Sequence, residues 1–248
     1  MKKTMLPKNK IIKIAVTIVV ILILLYGGAS VLAYSVQREV ADYPAVIHQQ
    51  LKEVGGQYVN YADIPDCLKN GIVSVEDERF FEHSGLDPLG LARAIKENLL
   101  SGSADEGGST ITQQLTRRIF RDKEKQPVNT ERTLESKLQI IRYSLAVEQV
   151  FSKEQILEMY VNQVYYGRRA QGAAQAAQAY FAKDLSKLTS GECTFLAGVP
   201  QAPTAFGNDS TGSGAQSRRQ HVLETMVRNK YLTQGQADAA GKENLHFK

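Results

Sequence analysis

The 248-residue sequence contains few of the side chains that bind metals or form disulfides. It has two cysteines, four histidines and no tryptophan. The histidines are scattered along the chain, so the His and Cys spacings typical of a zinc site do not occur. Cys67 and Cys193 each lie in an apolar helical context, where a lone cysteine usually packs as a small hydrophobic side chain. We therefore predict no zinc site and no structural disulfide.

A strong net charge is also missing from most of the chain. The formal charge of +4 comes from 30 Lys and Arg against 26 Asp and Glu. Five lysines precede the first apolar run, and without them 25 basic residues face 26 acidic ones. Nucleic-acid binding relies on clustered positive charge, so this balance argues against a nucleic-acid partner.

One long apolar run is present near the N-terminus. Residues 14–37 contain no charged side chain, and a bilayer core needs about 20 apolar residues in a helix. We predict a transmembrane anchor over 14–36 and a basic tail over 1–13, which the positive-inside rule places in the cytoplasm. A cleaved signal peptide is the alternative, but the run is longer than the about 7–15 apolar residues of such peptides.

Helical signals dominate the remainder of the chain. Ser152-Lys153-Glu154-Gln155 has the form of a capping box, and Thr189-Ser190-Gly191-Glu192 precedes another apolar helical pattern. No alternating strand of useful length occurs. We predict an all-α (mostly) domain over 58–230, preceded by a juxtamembrane connector over 37–57 and followed by a C-terminal tail over 231–248.

Glu76 is the first candidate for chemistry. Leu68, Ile72 and Val75 recur at helical spacing, and Glu76 follows Ile72 by one turn on the apolar side of the same helix. Partial burial disfavours the charged form of a carboxylate, which suits a general acid or base. A solvated charged turn at the end of a helix is the simpler interpretation, and this segment alone favours it.

A second candidate region begins at Ser109. Residues 109–115 are rich in hydroxyl and amide groups and follow a glycine-rich stretch that predicts a mobile loop. Free N–H groups at the start of a helix can bind phosphate or sugar oxygens, and Arg117 and Arg118 add positive charge. The alternative is an ordinary capped helix with an exposed basic face.

Together these segments resemble the signatures of peptidoglycan glycosyltransferase family 51. This family includes the monofunctional biosynthetic transglycosylases and the glycosyltransferase domain of class A penicillin-binding proteins. The residues similar to the first signature are Glu76, Asp77, Phe80, His83, Gly85 and Asp87. Residues 107–115 reproduce the second signature, and 156–162, 165–167 and 197–203 match later ones. The resemblance covers roughly 58–226 and implies a lysozyme-like, two-lobed helical domain behind an N-terminal transmembrane helix.

The resemblance also implies a reaction. In this family the glutamate at the position of Glu76 is the general base that activates the acceptor hydroxyl of lipid II. The hydroxyl attacks the growing glycan chain with inversion, and undecaprenyl pyrophosphate leaves. The substrate-binding residues that the resemblance implies are Asp77, His83, Ser109, Thr110, Gln113, Gln114, Arg117 and Lys137. An intact second signature argues against a lytic muramidase, and the absence of any Ser-x-x-Lys argues against a β-lactam-binding transpeptidase within this chain.

Cofactor, partners and location follow from the same resemblance. Mg or Mn often assists the family, although the sequence shows no dedicated ligand set. The expected partners are lipid II, the growing glycan chain, the membrane, and a transpeptidase or cell-wall synthesis complex. A lipid-linked substrate fits a single-pass protein of the bacterial cytoplasmic membrane with its N-terminus inside and its catalytic domain outside.

The third family signature is degraded in this chain. Its form Arg-Lys-x-x-Glu aligns with Ser136-Lys137-Leu138-Gln139-Ile140, where only Lys137 is kept. The arginine is replaced by Ser136 and the second catalytic glutamate by Ile140. The alternative function is therefore a catalytically weakened or non-catalytic module that binds lipid II or a partner synthase.

Overall fold

The computed structural model describes residues 27–28, 31, 33–93, 108–122 and 133–248, with the backbone alone at 120–122 and 134. Within these ranges it contains the following α-helices: α1 (Gln37–Ala41), α2 (Tyr43–Glu53), α3 (Asp66–Glu76), α4 (Ile111–Asp122), α5 (Leu134–Val150), α6 (Lys153–Gln163), α7 (Ala173–Phe181), α8 (Ser190–Gly198), α9 (Pro203–Asn208), α10 (Ser213–Arg228) and α11 (Gln234–Lys242). Residues 88–93 are also helical.

The predicted all-α class is confirmed. The described residues form no strand, and their one β-type contact is an isolated bridge between Tyr165 and Gln171. The predicted capping box at Ser152 begins α6, and Thr189 with Glu192 forms a second one at the start of α8. In each box the side-chain hydroxyl accepts a backbone N–H that the first helical turn would otherwise leave unbonded.

The centre of the domain is the packing of α3 against α8 and α10. Gly71 allows the close approach, because a Cβ atom at this position would lie 2.8 Å from the Cβ of Ala197. Leu68, one turn before Gly71, and Ile72, directly after it, are completely buried. This packing fixes the helix that ends at Glu76.

The prediction that no structural disulfide occurs is wrong. Cys67 in α3 and Cys193 in α8 form a disulfide, with Cα atoms 5.7 Å apart. Each cysteine does lie on the packed side of its helix, as its apolar context predicted. The sequence pattern gave no sign that these two helices face each other, because the cysteines are 126 positions apart.

Residues 37–57, predicted as a juxtamembrane connector, pack against the rest of the domain. Val40, Tyr43, Ile47 and Leu51 are buried and belong to the main hydrophobic core. The α1 helix also lies along α5, where the Tyr143 hydroxyl donates a 2.6 Å hydrogen bond to Glu39, on α1. The segment is therefore part of the folded unit rather than a loose connection.

Residues 231–248, predicted as a tail, are likewise packed. The α11 helix lies against α8 and α10. The Phe247 ring contacts the rings of Phe181 and Phe195, with centroids 5.4 and 4.9 Å away. The Glu243 carboxylate accepts a hydrogen bond from the Gly191 N–H at the start of α8. This segment covers one end of the central helices.

The predicted basic tail at 1–13 and most of the predicted anchor at 14–36 lie outside the described residues. In the described part of the chain, no helix combines the length and apolar character needed to cross a membrane. Ala33 and Val36, which fall at the end of the predicted anchor, are buried in the protein core.

Reducing the Cys67–Cys193 disulfide should lower the free energy of unfolding by about 2–5 kcal/mol, because this bond closes a long loop in the unfolded chain. Thermal unfolding with and without reductant measures the effect. The Cys67→Ser/Cys193→Ser double variant should unfold at the lower temperature and show no further response to reductant. An unfolding temperature that reductant leaves unchanged would show that the bond contributes no stability.

Candidate functional site

A cleft of about 730 Å³ opens between the end of α3, the start of α4 and the side of α10. Five of the predicted site residues line it: Glu76, Asp77, Ser109, Thr110 and Gln114. The opposite wall is formed by α10 and includes Arg218, His221 and Arg228. The structure thus brings the first and second signatures together across one cavity.

Glu76 is held by one donor on each carboxylate oxygen. Arg218 approaches Oε1 at 3.1 Å, and Nε2 of Gln114 donates to Oε2 at 2.9 Å. The side chains of Glu76 and Arg218 are each only 12% exposed. Burial lowers the pKa of Arg218, while the neighbouring Glu76 carboxylate acts in the opposite direction. An arginine side chain stays protonated in proteins, so the contact is a charge-assisted hydrogen bond.

Arg218 is the main site residue that the sequence did not reveal. It is 142 positions from Glu76 and stands next to Arg219 in a polar helical segment. Such a pair is typical of an exposed basic helix face. Only the packing of α3 against α10 places it beside the carboxylate.

Asp77 and His83 form an internal pair at the base of the cleft. Nε2 of His83 lies 2.9 Å from Oδ1 of Asp77, and the Ile111 N–H donates to Oδ2 at 3.0 Å. Because an ionised carboxylate only accepts hydrogen bonds, the His83 nitrogen is the donor. The pair therefore joins the loop after α3 to the start of α4. A direct substrate contact by Asp77 or His83 stays a prediction.

The remaining first-signature residues shape the same loop. Gly85 has a φ of +81°, and a Cβ atom there would lie 3.0 Å from the Ser144 carbonyl oxygen. The Gly85 carbonyl accepts a hydrogen bond from the Thr110 hydroxyl at 2.9 Å. Asp87 is paired with Arg79 and accepts the Gly90 N–H at 2.9 Å. These contacts fold residues 77–90 around Glu76.

The expected anion site at the start of α4 is largely occupied by the protein itself. The Ile111 N–H is bonded to Asp77, and the Gln113 N–H to the Thr110 hydroxyl. Gln113 is buried, and its Oε1 accepts a long 3.4 Å bond from the Thr110 N–H. Gln114 lines the cleft, and its Oε1 accepts a hydrogen bond from the buried Tyr160 hydroxyl at 3.2 Å.

Other predicted site residues lie away from the cleft lining. Arg117 and Lys137 are exposed, on α4 and α5. Ser136 and Ile140, from the degraded signature, are buried on α5, and Ile140 belongs to the apolar core. The Ser136 N–H is bonded to the hydroxyl of Thr133, which caps this helix.

The cleft carries charges of both signs. Glu78 is paired with Arg93 and lies 3.8 Å from Arg228. Desolvation, together with the nearby Arg218 and Arg228, lowers the pKa of His221. Among the described residues no group of three or more His, Cys, Asp or Glu side chains is arranged to hold a metal ion. A role for Mg or Mn stays a prediction.

Asp77→Ala should lower the free energy of unfolding by about 2–4 kcal/mol, because it leaves the His83 and Ile111 donors without their acceptor. Denaturant unfolding measures this change. Asp238→Ala, at an exposed position of α11, is the control and should change stability by less than about 0.5 kcal/mol. Equal stability of the Asp77 variant and wild type would contradict a structural role for the pair.

Comparisons with known proteins identify the family of this chain. A family model described as Transglycosylase matches residues 44–227. The chain is 39% identical to penicillin-binding protein 1A of Neisseria lactamica over 191 residues, covering 77% of this chain and 23% of that protein. It is 41% identical to penicillin-binding protein 1A of Vibrio cholerae over 181 residues, covering 73% and 21%.

Penicillin-binding protein 1A from Haemophilus influenzae, known from a crystal structure, is 22% identical, with a TM-score of 0.45 over 77% of this chain and 18% of that one. The chain spans less than a third of the length of the curated relatives it matches. The family model covers most of the chain, from α2 to the end of α10. This chain therefore belongs to the transglycosylase family.

Proposed function

We propose that this protein is a peptidoglycan glycosyltransferase that polymerises lipid II into glycan strands with inversion and releases undecaprenyl pyrophosphate. The observation that carries the proposal is the position of Glu76. Its carboxylate lies at the wall of a polar cleft, is held by Arg218 and Gln114, and stands where the family has its general base.

The geometry of Glu76 suits proton removal from a sugar hydroxyl. Each carboxylate oxygen receives one donor and so keeps acceptor capacity for a second. An acceptor hydroxyl within hydrogen-bond distance would lose its proton to Glu76 as its oxygen attacks the anomeric carbon of the donor sugar. Inversion follows because the attack comes from the side opposite the leaving pyrophosphate.

The leaving group requires positive charge rather than a proton donor. Negative charge develops on the pyrophosphate as the glycosidic bond breaks, and fixed cations stabilise it. Arg93 and Arg228 line the cleft. Both are paired with Glu78, which also lines it. From the family resemblance, Arg117 and Lys137 are further candidates for this role, and both are exposed.

A membrane location fits the lipid-linked substrate. The predicted anchor at 14–36 would hold the domain on the outer side of the bacterial cytoplasmic membrane, where the undecaprenyl chain of lipid II is embedded. The similar penicillin-binding proteins 1A are several times longer than this chain. We expect a transpeptidase or a cell-wall synthesis complex to use the glycan product.

Glu76→Gln should reduce the rate of lipid II polymerisation by about 10²–10⁴-fold, because it preserves the shape of the side chain and removes the base. Glycan chain formation by purified full-length protein in detergent measures the rate. Glu224→Gln, at an exposed position of α10 outside this cleft, should behave as wild type. Equal product from the Glu76 variant and wild type would exclude Glu76 as the base.

Ser136→Arg together with Ile140→Glu should raise the polymerisation rate, because the change restores a charged pair one helical turn apart beside Lys137. Both positions are buried, so we also expect a lower unfolding temperature. Ser136→Arg with Ile140→Gln is the matched control, since it keeps the size of the side chain without its charge. If wild type already polymerises as fast as a typical family member, the missing glutamate is not needed here.

A further inference from the structure

We propose that Tyr160 is a positioning residue for the base: its hydroxyl fixes the amide of Gln114 so that the NH₂ end faces Glu76. This inference rests on the proposed function for its kinetic consequences. Its structural content is a three-residue hydrogen-bond chain that runs from α6 through α4 to the end of α3.

The chain of contacts is continuous. The Tyr160 hydroxyl lies 3.2 Å from Oε1 of Gln114, and Nε2 of Gln114 lies 2.9 Å from Oε2 of Glu76. Tyr160 has no exposed surface, whereas Gln114 and Glu76 both line the cleft. The tyrosine therefore acts on the base from behind the cleft wall, through Gln114, and does not itself line the cavity.

The oxygen and the NH₂ group of the Gln114 amide are chemically different, and only one orientation of the amide suits Glu76. An ionised carboxylate accepts hydrogen bonds and donates none, so the amide NH₂ must face it. The amide oxygen then faces Tyr160 and needs a donor. If the amide rotated by half a turn, its oxygen would lie against the carboxylate of Glu76, and its NH₂ would face Tyr160.

Tyr160 is suited to remain that donor. Burial, and secondarily the charge of Glu76, raises the pKa of the Tyr160 hydroxyl well above its usual value. The hydroxyl therefore keeps its proton throughout the physiological pH range. Removing it would leave the amide oxygen of Gln114 without this partner and weaken the preference for the orientation that supports Glu76.

The chain offers a matched control for this role. Tyr166 is also completely buried, and burial raises the pKa of its hydroxyl as well. Among the described residues its hydroxyl has no hydrogen-bond partner. Tyr160→Phe and Tyr166→Phe therefore remove the same atom from equally buried sites, but only the first removes a contact to Gln114.

The kinetic test measures lipid II polymerisation by full-length variants in detergent. Tyr160→Phe should lower kcat about five- to tenfold, as expected for the loss of one oriented hydrogen bond, and change KM by less than about twofold. Tyr166→Phe should leave both constants unchanged. Equal kcat values for Tyr160→Phe and wild type would overturn the proposal.

A double-mutant cycle separates positioning from a general loss of packing. In a Gln114→Leu background the amide is absent, so Tyr160→Phe should have almost no further effect on kcat. If the effects of the two substitutions on kcat instead multiply, Tyr160 acts independently of Gln114 and the proposal is wrong.

A third measurement does not require activity. With ¹⁵N-labelled glutamine, the side-chain NH₂ of Gln114 should exchange with solvent about tenfold faster in Tyr160→Phe than in wild type or Tyr166→Phe, because without the Tyr160 donor the amide leaves Glu76 more often. Failure of wild type to polymerise lipid II would count against the proposed function alone. Unchanged Gln114 exchange would overturn the positioning role whatever the activity.

Discussion

The ion pair between Glu76 and Arg218 is the contact on which the cleft depends. A largely buried carboxylate loses favourable hydration, and a partner of opposite charge with good hydrogen-bond geometry offsets that loss. The pair is 3.1 Å long and joins the last residue of α3 to α10. Removing either side chain would leave the other charge buried and unpaired. The contacts around the pair can therefore be understood as holding α3 and α10 in the positions that keep Glu76 and Arg218 together.

Several independent contacts fix the position of α3 and of Glu76. Gly71 allows α3 to approach α8 closely, and the Cys67–Cys193 disulfide joins the same two helices. From the other side, Gln114 brings α4 to Glu76, and Asp77 binds the backbone at the start of α4. Segments far apart in sequence thus converge on one carboxylate. The first signature supplies that carboxylate, and most of its other residues fold the loop that frames it.

Local features of this structure were predictable from the sequence, and contacts between distant segments were not. The capping boxes at Ser152 and Thr189 depend on residues three positions apart, so their pattern is sufficient to predict them. The same holds for the placement of Glu76 at the end of an apolar helix. The disulfide and the position of Arg218 depend on which helices pack together. The sequence around Cys67 or around Arg218 does not specify which helix each of them will meet.

The packing of the two terminal segments was also not predictable from the sequence. Residues 37–57 and 231–248 are short and polar enough to suggest a connector and a tail. Tyr43 is nevertheless buried, and Phe247 is partly buried against the domain. A short amphipathic segment gives little periodic signal of its own, because its stability comes from the surface that it covers.

The degraded third signature raises the question of whether another carboxylate replaces the missing one. Glu148, further along the same helix, is held by the Thr112 hydroxyl at 2.6 Å and by Lys153 at 2.7 Å. In the cleft lining, Asp77, Glu78 and Asp87 are each bonded to a histidine or an arginine of the protein. Each of these carboxylates therefore already makes a structural contact within the protein.

A single base is nevertheless chemically sufficient for the proposed transfer. Inversion requires one group to remove the proton of the attacking hydroxyl, and the pyrophosphate that leaves is already a stable anion. Its departure calls for fixed positive charge, which arginines at the cleft wall can supply, rather than for a proton from a second carboxyl group. Under the proposed function, the replacement of glutamate by Ile140 would affect the donor side of the reaction and leave the attacking side, centred on Glu76, intact.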